Sequence, residues 1–198
     1  MNTKKQIDDI IIRLQKASTP EGIAAFKKFI PGEVTPIGVR MPVINQLAKE
    51  LNTQLKSDKE DALALAEQLC LTTYPETQIL AAKILEKAGK KNPALTLKIV
   101  EQFSGSINNW AVCDAFGMQA CKGIVKTHFD EITKLSGRLI VSENLWQRRL
   151  AIVLMEYYTR EKEKHPAIKE LLLKVKGDKE YYVKKAVVWI ERNFEKGK

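Results

Sequence analysis

Only three cysteines and two histidines occur among the 198 residues. Cys70, Cys113 and Cys121 are odd in number and follow no CxxC or Cys/His metal spacing, so they read as small core residues in a reducing compartment. His128 and His165 stand apart from each other near helix boundaries, and a structural or solvated role fits them better than catalysis. No GxGxxG, GxxxxGK[ST] or HExxH pattern is present, which removes the usual nucleotide-binding and zinc-hydrolase toolkits. No apolar run nears the length needed to span a bilayer, and the amino-terminal MNTKKQIDD lacks the apolar core of a leader, so the expected location is the cytoplasm. Sustained two-residue alternation is also missing, so nothing calls for a sheet.

What remains is basic and helical. Hydrophobic residues make up 44% and charged residues 29% of the chain, the balance of an ordinary globular protein. The net charge of +9 favours polyanions, nucleic acid first among them, although excess lysine equally serves to keep a helical protein soluble.

Apolar spacing predicts helices from Thr3 to Ala17, Pro20 to Ile30, Pro42 to Leu55, Asp58 to Leu71 and from Pro75 to about Ala88. Further helices are expected from Pro93 to Phe103, Trp110 to about Lys126, Phe129 to Ile140 and around Trp146. The last two run over Pro166 to Val175 and Asp178 to Phe194. Ser18-Thr19-Pro20-Glu21, Ser57 or Asp58, Asn92 and Ser142-Glu143-Asn144 supply caps, and Pro31-Gly32 and Gly89 supply stops. Ten or eleven helices with short turns imply antiparallel pairs stacked into one solenoid domain over residues 1–198, with a concave basic binding face. The three tryptophans, 36 and 43 positions apart, should fall on neighbouring repeats.

Trp110 and Asp114 are one helical turn apart and can hold a cationic group between an indole face and a carboxylate. The same spacing fits a packed indole and an arginine-paired or solvated carboxylate. Trp146 lies three residues before Arg149, and Arg148-Arg149 offers planar donors for phosphate; a buried Trp146 with surface arginines fits as well. Trp189 follows Val183, Ala186 and Val187 at helical spacing, which suits a packed aromatic, and Lys184-Lys185 suits a solvated face.

Together Gly38-Val39-Arg40-Met41-Pro42, Trp110 with Asp114, Trp146 with Arg149, and Tyr182-Val183-Lys184-Lys185-Ala186 leading to Trp189 resemble the DNA alkylation repair family, the AlkD-like alkylpurine DNA glycosylases built from HEAT-like repeats. The resemblance implies a monomer that hydrolyses the N-glycosidic bond of cationic N3- or N7-alkylated purines in double-stranded DNA, without metal or cofactor. On it, Asp114, Trp110 and Trp189 are the catalytic candidates, and Arg149, Arg148, Arg40 and Lys185 the DNA-binding ones. Asp114 stabilises the oxocarbenium-like sugar, and Arg149 holds the DNA backbone. Ala111, Phe26 and Asn45 stand where relatives can carry an acid, a tyrosine and an arginine. The competing class is a helical-repeat scaffold that binds nucleic acid or protein without chemistry. Convergence of Trp110, Asp114, Arg149 and Trp189 on one face separates the two.

Overall fold

Among the described residues, proline opens or nearly opens five of the helices, and short polar side chains cap five. Both follow from the unpaired N–H groups of a helix's first turn. The computed structural model describes residues 3–30 and 34–196; the expected stop at Pro31-Gly32 lies outside them. The helices are α1 (Thr3–Lys16), α2 (Pro20–Phe29), α3 (Met41–Gln54), α4 (Lys59–Cys70), α5 (Pro75–Ala88), α6 (Pro93–Ser104), α7 (Trp110–Ala115), α8 (Phe129–Leu139), α9 (Leu145–Leu154), α10 (His165–Leu173) and α11 (Tyr181–Lys196). No strand occurs among the described residues, and no helix there is long and apolar enough to cross a membrane.

Thr19, Asp58, Asn92, Asn109 and Asn144 each accept a backbone N–H from the first turn of α2, α4, α6, α7 and α9. Losing one such cap typically costs about 1 kcal/mol.

The helices form two rows. α5 packs against α3 and α7, α7 against α9, and α9 against α11; α6 packs against α4 and α8, and α8 against α10. This alternation is that of a helical-repeat solenoid, in which each pair covers the apolar face of the next. The three tryptophans fall on α7, α9 and α11, successive members of the odd-numbered row. α5, with Leu80, Ala81, Ala82, Ile84 and Leu85 all fully buried, is apolar on nearly every side because neighbours surround it.

Two places depart from simple periodicity. The loop before α3 turns through Gly38 at φ +91°, a conformation that L side chains rarely adopt. There the fully buried carboxylate of Glu76, in the first turn of α5, accepts the N–H groups of Ile37 (3.1 Å) and Gly38 (2.7 Å). The Gly38-Val39-Arg40-Met41-Pro42 segment is thus built around a structural turn, with Arg40 exposed at the start of α3.

The second departure corrects a sequence expectation: α7 does not run to Lys126. It ends at Ala115, widens into a π turn over Phe116–Ala120, and gives way to turns. Gly117 lies so close to α9 that a Cβ would come within 2.3 Å of the Val153 side chain, so backbone contact replaces side-chain packing here. α11 likewise starts at Tyr181, three residues after the expected Asp178.

Candidate active site

Residues four apart share a helix face, and Trp110 and Asp114 are both half-exposed on α7 while Val112 and Cys113 between them are buried. Both line a cavity of about 620 Å³ that is closed on its other sides by Arg149 of α9 and by Tyr182, Lys185 and Trp189 of α11. Trp110, Asp114, Arg149 and Trp189 therefore converge on one cavity, as does Lys185. A groove of about 700 Å³ between α10 and α11 is slightly larger, but its floor is aliphatic and no indole reaches it.

Arg149 is only 7% exposed. Its Nε and one terminal nitrogen donate to the two carboxylate oxygens of Asp114, both at 2.9 Å, and the other terminal nitrogen donates to the Tyr182 carbonyl at 2.7 Å. Burial alone would lower the Arg149 pKa, but the pairing with Asp114 outweighs it and holds the guanidinium above its ordinary value. The sequence suggested Arg149 as a clamp on the DNA backbone; the structure turns its planar fork inward to fix the orientation of the Asp114 carboxylate. Each Asp114 oxygen keeps a further acceptor site, and the side chain remains 28% exposed at the cavity.

Arg148, one residue earlier, does not line the cavity. It bonds Asp178 at 2.6 Å and the carbonyls of Ser142 and Glu143, both at 2.8 Å, tying the start of α9 to the turn before α11. Trp146 also lies outside the cavity lining, with its ring 4.9 Å from that of Tyr182. Arg40 lies in an adjoining groove that shares Phe29 and Trp110 with the cavity. Lys185 sits over the Tyr181 ring at 5.3 Å.

Two lining residues were missed. Arg192 continues the Lys185, Val188, Trp189 face of α11 at helical spacing, a signal available in the sequence. Phe29 is 81 positions from Trp110, whose indole N–H donates to the Phe29 carbonyl at 3.0 Å, and no local pattern announces such a contact.

The cavity thus carries one carboxylate among three cations, Arg149, Lys185 and Arg192. The buried Cys113 thiol beside it is pushed well above its ordinary pKa by burial, which removes it as a nucleophile. Among the described residues no group of three or more His, Cys, Asp or Glu side chains could hold a metal ion.

No curated protein matches the chain by sequence. One solved structure, described as a predicted DNA alkylation repair enzyme from Enterococcus faecalis, superposes with a TM-score of 0.79 over 91% of this chain and 84% of its own, at 20% identity. The family described as DNA alkylation repair enzyme matches residues 10–196. That match spans nearly every helix and the whole cavity, and the chain belongs to the DNA alkylation repair enzyme family.

Proposed function

We propose that the protein is a monofunctional DNA glycosylase that hydrolyses the N-glycosidic bond of cationic N3- or N7-alkylated purines in double-stranded DNA, the first step of base excision repair. The observation that carries the reading is the single carboxylate, held by Arg149 and flanked by two indoles, within an otherwise basic cavity. Lys185 and Arg192 suit phosphates on either side of a lesion, while the carboxylate supplies negative potential at one point.

That point matters because the charge moves during the reaction. The alkylated base begins positive; as the C1′–N bond breaks, its electron pair neutralises the purine and the sugar becomes positive. Asp114 stabilises this oxocarbenium-like sugar and positions the water whose oxygen adds to C1′, and a proton is released to solvent. A fixed carboxylate helps most where charge develops, in the transition state. Trp110 and Trp189 offer indole faces to the cationic nucleotide.

The test is single-turnover release of 7-methylguanine from duplex DNA by the wild type and by Asp114→Asn. Excision should fall on the order of a hundredfold or more in the variant, with duplex affinity little changed because phosphate contacts set it. Equal rates would remove Asp114 from the mechanism. No excision by the wild type would leave a non-catalytic nucleic-acid scaffold as the better reading.

A further inference from the structure

The solvent-facing stripe that begins at Trp110 and Asp114 does not stop at the cavity. Along α7, its π turn and the turns that follow, the residues that reach solvent include Asp114, Met118, Gln119 and Lys122, while Phe116, Gly117 and Ala120 are buried. The neighbouring α5 presents Lys83, Glu86 and Lys87 at the same side, and Lys90 follows in the next turn. The two are stitched together: the Lys83 ammonium donates to the Gln119 side-chain oxygen at 2.9 Å, and Lys122 pairs with Glu86 at 3.4 Å.

At the far end of this stripe a second cavity, about 490 Å³, is lined by Lys90, Lys122 and Lys126 together with Pro93, Thr127 and His128. The stripe and this cavity carry five lysines, at 83, 87, 90, 122 and 126, against two carboxylates, Glu86 and the Asp114 already paired with Arg149. Glu86 is shared by Lys87 and Lys122, and no ion pair among the described residues engages Lys90 or Lys126. Close-set ammonium groups with so little neutralisation repel one another. A polyanion relieves that repulsion and gains from releasing its counterions.

Lys122 is eight residues beyond Asp114. Between them the π turn and the turns that follow carry the chain from the Asp114 cavity to the second one. We propose that Lys90, Lys122 and Lys126 form a second phosphate-binding surface that holds the duplex backbone to one side of the nucleotide in the Asp114 cavity. This rests on the reading of that cavity as a DNA site. It assigns to exposed lysines a role that the inward-turned Arg149 is not placed to fill.

The experiment measures affinity for an undamaged duplex as a function of salt. Each lost phosphate contact should flatten the plot of log affinity against log salt by about 0.9, so replacing all three lysines by glutamine should flatten it by up to about 2.7. Between 50 and 200 mM salt the wild type should then lose on the order of 40-fold more affinity than the triple variant does. A control removing the same charge from Lys162, Lys169 and Lys174, exposed around α10, should keep the wild-type slope. A steep wild-type slope unchanged in the triple variant overturns the lysine surface and leaves the cavity reading standing. Equal flattening by the control also overturns it, since net charge alone would then be responsible. Failure of the wild type to bind duplex at all removes both readings. Saturable binding of inorganic phosphate, lost in the triple variant while the duplex slope stays unchanged, would assign the second cavity to a small anion instead.

Discussion

Arg148 and Arg149 are consecutive, both sit in the first turns of α9, and both form charge-assisted bonds to an aspartate. A helix separates consecutive side chains by about 100°, and that rotation sends them into different parts of the molecule. Arg148 enters the joint between the α8–α9 loop and the turn before α11, where Asp178 and two carbonyls receive it. Arg149 enters the cavity, where its aspartate still faces open space. In the joint the ion pair closes a gap, whereas in the cavity it aims one partner at whatever enters. Chemical likeness between two ion pairs therefore says little about their use; the exposure of the acidic partner says more.

Removing Arg149 should break this contrast most severely. Arg149→Ala leaves the Asp114 carboxylate without its fork and removes one donor from the Tyr182 carbonyl, so excision of 7-methylguanine should fall by roughly a hundredfold or more through lost positioning. The loss of these buried charge-assisted bonds should cost about 2–3 kcal/mol, lowering the thermal midpoint by about 5–10 °C for a chain of this size. Calorimetry beside single-turnover kinetics reads both effects. A stable variant with undiminished excision would show that Asp114 needs no orientation.

Arg148→Ala should move only one of those readouts. Its bonds to Asp178, Ser142 and Glu143 join parts of the fold away from the cavity, so stability should fall by about 2 kcal/mol, while excision at saturating DNA stays at the wild-type rate. A large loss of rate in a folded Arg148→Ala protein would erase the distinction between joint and cavity.

The smallest effect is a pH dependence confined to the joint. Burial tends to raise the Asp178 pKa, but the Arg148 bond and the Glu180 N–H outweigh it and hold the carboxyl below its ordinary value. The native protein therefore binds fewer protons here than the unfolded chain does. This contribution to stability is complete above the ordinary carboxylate value of about 4 and disappears as the pH falls through the lower folded value. The stability difference between wild type and Asp178→Asn should shrink as the pH is lowered from about 5 toward 2. A constant difference would place the Arg148 bond outside the folding equilibrium.

These contrasts also mark how far the sequence could be read. Thr19, Asp58, Asn92 and Asn144 cap where their local patterns place them, because capping depends on a few adjacent residues. The stripe of Leu80, Ala81, Ile84, Leu85 and Ala88 is buried as its spacing requires. The shared face of Trp110 and Asp114 was equally legible. The π turn was not, since it accompanies a close crossing between Gly117 and Val153 that only the packed helices create. Nor was the division between Arg148 and Arg149, because periodicity tells which side chains share a face and not which neighbouring helix that face will meet. Asn109, the cap of the very helix that bears Asp114, is followed by an indole and was overlooked beside it.

The bond from the Trp110 indole to the Phe29 carbonyl has a consequence for how the chain behaves as a whole. A stack in which each unit meets only its neighbours can melt from either end without disturbing the middle. Here the carboxyl end of α2 is clasped to the amino end of α7 across 81 positions, so the first helices are mechanically linked to the aromatic that lines the cavity. Fraying at the amino terminus would release that indole before any unit beside it had unfolded. The seating of α2 thereby becomes a condition for the placement of the Trp110 ring in the cavity.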